Sequence, residues 1–151
     1  MSTIPSDSLV PAELPARFAA RALDAALLVA ATVGLGLLMG FGWDWLLLNA
    51  TLIFGYFALL DTLAGATLGK LALGLRVVGP DGGRPSLGQS LIRETFTLLG
   101  AIPIVGPPLA LAAWAWITLS IRASPLRQGR HDQIAGGTRV IRAPSRGSAL
   151  A

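Results

Sequence analysis

The chain has 151 residues, of which 53% are hydrophobic and only 13% charged, with a formal net charge of +4. Soluble domains carry about twice that charged fraction, so the composition points to a membrane protein of one domain. Cysteine is absent, which excludes disulfides, a thiolate nucleophile and cysteine-ligated metal. The basic residues cluster in loops and towards the C-terminus, and the long apolar runs exclude a nucleic-acid-binding domain as their explanation. Basic loops beside apolar spans read as topology signals and as contacts to anionic headgroups.

Residues 1–15, MSTIPSDSLVPAELP, hold two acids, three prolines and no Lys or Arg; they read as a disordered cytoplasmic tail. The first apolar run follows Arg17 and Arg21. At about 20 residues it is long enough to span a bilayer, and it ends in GLLMGFGWDW without a cleavage site, so it reads as a transmembrane helix over about 16–40. Ala30, Gly34, Gly36 and Gly40 form a face of small residues suited to close helix packing. Within this helix Arg17, Arg21 and Asp24 share one face. Asp24 then lies below the interface, paired with the arginines above it. Two readings of the pair stay open: a structural ion pair that fixes the helix, and an ion- or proton-binding site.

Trp43 and Trp45 flank Asp44 at an expected membrane interface. A second span over about 45–63 carries Asn49, Thr51, Tyr56 and Thr62, few polar groups for a permeation path. Near its end lies Asp61, either a solvated interfacial acid or close enough to Asp24 for the two carboxylates to share a proton. GATLGK is one residue too short for a phosphate loop and ends in Leu71 instead of Ser or Thr. Thr67 is expected to cap a short helix over 68–74, with Lys70 at the headgroup level. LRVV reads as a strand and GPDGGRP as a turn. Ser86 and Gln89 form a capping box that starts a helix at Leu87 and brings Arg93 and Glu94 to the interface.

The last apolar run, 95–121, is interrupted by PIVGPP, where Pro103, Pro107 and Pro108 cannot continue the backbone ladder. A single kinked span and a hairpin both fit. Loop charge decides for a helix–break–helix hairpin over 90–121, because the middle loop (Lys70, Arg76, Arg84, Arg93) and the tail are both basic and so both cytoplasmic. His131–Asp132 has no nucleophile at triad spacing; Asp132 either caps the turn QIAGG or joins the polar cluster. TRVIR alternates and pairs with LRVV. Residues 143–151 read as disordered.

Four segments together carry a resemblance: RFAARALD at 17–24, TLGK followed by GLRVV at 67–78, PSLG followed after four intervening residues by Arg93 at 85–93, and RQGRHDQIAGGT at 127–138. In this order they resemble the RDD family of membrane proteins. The resemblance implies that Arg17, Asp24 and Asp132 are the residues the family is named for, and that Arg21 is additional. Arg130 and Arg139 stand where the family usually has apolar residues, which makes this tail more basic. The resemblance also implies transport, with some members similar to sodium/proton antiporters.

The expected fold is all-α and membrane-integral: two transmembrane helices, a proline-broken helical hairpin and a small cytoplasmic β element, with residues 16–142 forming the membrane domain. The expected function is a small transporter exchanging a monovalent cation (Na⁺ or Li⁺) for protons. Asp24, Asp61 and Asp132 would bind ion or proton, and Arg17, Arg21, Lys70, Arg93 and His131 would be their charge partners. The alternative is a non-transporting scaffold, lipid-binding or partner-subunit module in which the Arg–Asp pair is structural. Neither reading needs a cofactor or metal, and no constellation suggests an enzyme. The expected setting is the inner or plasma membrane, multi-pass, with both termini cytoplasmic. The expected partners are anionic lipid and further copies of the chain, and not nucleic acid.

Overall fold

The computed structural model of the chain describes residues 10–143. Six α-helices and a two-stranded sheet follow in the order α1 (Leu14–Met39), α2 (Trp43–Ala64), α3 (Leu68–Ala72), β1 (Leu75–Val78), α4 (Leu87–Glu94), α5 (Gly106–Ala123), α6 (Arg130–Ile134) and β2 (Arg139–Arg142). Between α4 and α5 lies a 3-10 segment, Thr95–Ala101. Helices α1 and α2 are each long and apolar enough to cross a membrane.

The polarity of the fold is inverted relative to a water-soluble protein. Leu37, Leu38, Leu47, Leu63 and Leu111 are exposed, while Asp24, Asp61, Lys70, Arg93, Glu94 and Asp132 are buried. Burying unpaired charge costs several kcal/mol or more, and exposed leucines gain nothing in water, so this arrangement suits lipid outside and paired polar groups inside. Helices α1 and α2 run antiparallel. Trp45 Nε1 donates to the Thr32 carbonyl at 3.0 Å and Thr32 to Asn49 at 2.5 Å near one end, and Tyr56 meets Asp24 near the other. Thr51 and Thr62 instead return their hydroxyls to their own helix, at Leu47 and Ala58. The small-residue face of α1 is not where α2 approaches: nothing lies within 4 Å of the Cβ positions of Gly34 and Gly40, and Gly36 is covered by the ring of Phe41 from the following turn.

Local signals set the connecting elements. Thr67 caps α3 by accepting from the Lys70 amide. Ser86 and Gln89 close a reciprocal capping box on α4. Strands β1 and β2 pair antiparallel, with Leu75 opposite Arg142 and Val78 opposite Arg139. The tail expected to be disordered over 1–15 is not so over its last residues. Arg142 N donates to the Val10 carbonyl and Ala12 N to that of Val140, and Pro11 bridges to Ile141. Ala12 packs with Ala20, Leu75, Val77 and Val140 in a small apolar core. This follows from β2 having a free edge, which a preceding extended segment satisfies. Residues 1–9 and 144–151, including most of the expected C-terminal tail, lie outside the described residues.

The chain breaks between Ala101 and Gly106, as the prolines require, and the 3-10 segment packs back against α5. The first limb is not a continuous α-helix. Beyond Glu94 it tightens to 3-10 geometry, and Thr97 returns its hydroxyl to the Glu94 carbonyl. Gly106 admits the close approach, because a Cβ there would strike the Leu99 carbonyl.

Candidate functional site

Five helices bring charged side chains to one buried cluster at the N-terminal end of α1. Asp24 comes from α1, Asp61 from α2, Lys70 from α3, Arg93 and Glu94 from α4, and Asp132 from α6. Arg17 and Arg21 of α1 reach in from its edge.

Asp24 is almost fully buried and accepts three hydrogen bonds: from Tyr56 Oη at 2.7 Å, Thr67 Oγ1 at 2.5 Å and the Gly69 amide at 2.7 Å. The direction of each bond is fixed. Tyr56 Oη accepts from the Leu68 amide and Thr67 Oγ1 from the Lys70 amide, so both hydroxyl protons point at the carboxylate. Gly69 is required here, since a Cβ would strike the Ala20 carbonyl and lie 2.9 Å from the Asp24 carboxyl carbon.

Neither arginine pairs with Asp24, contrary to the expectation from spacing. Arg17 Nη1 lies 3.6 Å from Asp132, while its other nitrogens donate to the Ala12 and Val140 carbonyls. Arg21 donates twice to Glu94 Oε2 at 3.3 Å and stacks on the Phe57 ring, 3.5 Å from its centroid. The residues do share a helix face, but an exposed i,i+3 or i,i+4 pair is worth only about 0.2–0.5 kcal/mol. A buried, charge-assisted partner on another helix outcompetes it.

Asp61 is fully buried and not solvated. Lys70 Nζ reaches its two oxygens at 2.7 and 2.9 Å, and Arg93 Nη1 stands 3.5 Å away. Lys70 therefore does not sit at the headgroup level; the five-residue helix α3 folds it under α2. Burial pulls the Lys70 pKa below its ordinary value, and Asp61 opposes that pull. Asp24 and Asp61 each have their own set of partners, neutral donors for the first and Lys70 with Arg93 for the second.

Arg93 is the hub of the cluster. Its guanidinium lies 3.2 Å from Asp132, 3.5 Å from Asp61 and 3.9 Å from Glu94, held by charge more than by aligned hydrogen bonds. Asp132 does two things at once. It accepts from the Gly129 amide at 3.1 Å, capping α6, and it joins the cluster. Burial raises its pKa, but Arg93, His131 and Arg17 together hold it below the ordinary value. His131 lies beside it at 3.6 Å and is pushed down to about 4, chiefly by burial, so it is neutral at pH 7.

A cavity of about 60 Å³ opens between α1, α5 and α6, lined by Arg21, Asp24, Lys70, Arg93, Glu94 and His131 among others. Among the described residues no group of three or more acidic or histidine side chains is arranged to hold a metal ion. Glu94, Tyr56, Thr67 and Gly69 join the site without having been singled out for it. The one sequence signal for Glu94 is its place beside Arg93 in an apolar setting.

The model of the RDD family matches residues 11–136. No curated protein matches this chain, and no solved structure does.

Proposed function

This chain belongs to the RDD family, and on that footing we propose that it is a membrane transporter exchanging protons for a monovalent cation, with Asp24 as the exchangeable carboxylate. The observation that carries this reading is the company Asp24 keeps. Asp61, Glu94 and Asp132 each have a Lys or Arg within 4.0 Å. Among the described residues Asp24 is the buried carboxylate without one, and it borders the cavity. Its donors are neutral, so a cation or a proton arriving there meets an anion not already neutralised by a fixed partner.

In this reading the same hydrogen bonds serve as a coupling step. Protonation of Asp24 weakens its three hydrogen bonds, because a neutral carboxyl is a poorer acceptor than a carboxylate and all three partners are committed as donors. Weaker Thr67 and Gly69 bonds loosen α3 against α1, and Lys70 on α3 carries that change to Asp61. In this reading the hairpin formed by the 3-10 segment and α5 re-enters the membrane, both termini are cytoplasmic, and the transporter works as a homo-oligomer.

A second reading rests on the same three bonds. They tie α1 to α2 and α3, which is what a structural latch in a non-transporting module would do. Purified protein in liposomes under a pH gradient separates the two when Na⁺, Li⁺ and K⁺ are offered in turn. Exchange by the native chain, lost in Asp24→Asn while thermal stability holds, supports the carrier. Absent flux, or flux that survives in Asp24→Asn, removes it. A large stability loss without native flux supports the latch.

A further inference from the structure

Where α1 begins and α5 ends, the two helices leave a second hollow, of about 490 Å³, which shares Leu14, Phe18 and Ile121 with the wall of the cavity beside the charge cluster. Leu14, Phe18 and Ile121 line it as apolar wall, and Arg122, Ser124 and Arg127 line its polar part. No acidic residue lines it, and neither arginine has an acid within 4.0 Å among the described residues.

Arg127 is held in place at a cost. Its φ is +50°, in the left-handed region that a side chain adopts rarely, and such a conformation persists only where its surroundings enforce it. Here they do. The Arg127 amide donates to the Ser124 carbonyl at 2.9 Å and the Gln128 amide to Ser124 Oγ at 3.2 Å. The buried Gln128 side chain then staples the loop to the Gly137 and Thr138 carbonyls at 3.0 and 2.9 Å. The strained loop presents a cation at the membrane edge of α1.

We propose that this hollow binds one anionic phospholipid, its phosphate between Arg122 and Arg127 and its glycerol and upper acyl region against Phe18 and Ile121. A fork of guanidinium donors matches a phosphate oxygen pair, and an apolar wall at the end of a span matches the chain below it. The inference rests on the chain being a membrane domain and not on ion exchange.

The test is native mass spectrometry of the full chain in detergent, titrated with dioleoylphosphatidylglycerol, with dioleoylphosphatidylcholine and with inorganic phosphate. The native protein should retain the anionic lipid preferentially. Arg127→Gly suits the left-handed backbone, so it keeps the fold and should weaken anionic-lipid retention about fivefold. Arg122→Gln with Arg127→Gly should weaken it about thirtyfold. The pair Arg76→Gln and Arg142→Gln removes equal charge from the exposed sheet and should leave retention within about twofold. The proposal falls if the Arg122/Arg127 variants keep the preference. It falls equally if the sheet variant loses as much, which would mean diffuse charge, or if inorganic phosphate displaces the lipid, which would mean a soluble anion.

Discussion

The guanidinium of Arg21 lies 3.5 Å from the centroid of the Phe57 ring while both terminal nitrogens reach Glu94. One side chain thus joins α1 to α2 through a ring and to α4 through a carboxylate. Arg21→Gln strands a buried Glu94, whose remaining cation, Arg93, is 3.9 Å away. Thermal unfolding in detergent should show a loss of about 3 kcal/mol, as for other broken buried pairs. Adding Glu94→Gln should recover a good part of it; a double variant no better than the sum of the two singles would show that the pair is not coupled.

The Lys70–Asp61 pair makes the same demand more sharply, because both groups are buried. Lys70→Met alone should cost about 3–5 kcal/mol and Asp61→Asn alone a similar amount. The combination should be markedly closer to the native protein, as read from the unfolding midpoints of all four proteins. Arg93 stays 3.5 Å from Asp61 in the Lys70 variant, so that single should be the milder of the two.

Glycines divide into those that matter and those that do not. Gly69→Ala drives a methyl into the Ala20 carbonyl and the Asp24 carboxyl; it should destabilise by about 1–3 kcal/mol or more, since backbone must move. Gly34→Ala meets open space and should be neutral or stabilising by up to about 1 kcal/mol through helix propensity. Equal melting temperatures for the two variants would contradict the close α1–α3 contact.

His131 gives the protein a pH dependence with a definite sign. Its pKa falls from 6.5 in the unfolded chain to about 4 in the folded one. Between those values the unfolded state binds the extra proton, so stability is full above pH 6.5 and is lost as pH falls towards 4. The total is on the order of 3 kcal/mol. His131→Gln should flatten the melting temperature between pH 6.5 and 4. Asp132, held below its ordinary value, contributes a separate loss only at more acid pH.

Topology is checked with single cysteines in this cysteine-free chain. On intact cells a membrane-impermeant thiol reagent should label Gly42→Cys and spare Ser86→Cys and Ser145→Cys. Labelling at Ser145→Cys but not at Gly42→Cys would overturn cytoplasmic termini.

What was legible in the sequence is what short-range chemistry decides. The caps at Thr67 and Ser86, the break after Ala101 and the two long apolar helices all follow from residues within a turn or a helix of one another, and the LRVV–RVIR pairing, though long-range, follows from the strand character of each short segment. What was not legible is the choice of partner. Arg17 and Arg21 share a face with Asp24, yet their long side chains reach Asp132 and Glu94 through tertiary folding. Nothing local announces that Asp24 is served by a phenol, a hydroxyl and a backbone amide from the following helices. Lys70 misled for the same reason: a lone lysine beside a span resembles a headgroup anchor until α3 tucks it beneath α2.

The strand β2 closes against residues 10–12, and the carbonyl of Val140 takes a hydrogen bond from an Arg17 that is 123 residues away in sequence. During synthesis, then, the first helix enters the bilayer long before Asp132 and Val140 leave the ribosome. Arg17 must wait at the lipid surface with its stem extended towards water, and the N-terminal segment must wait beside it with an empty edge. The last stretch of chain to be made is the one that lets the first helix settle. A nascent chain stopped before about residue 130 should insert its helices and still lack the sealed interior. Such an intermediate offers an unpaired arginine and a bare strand edge to whatever quality-control machinery surveys the membrane.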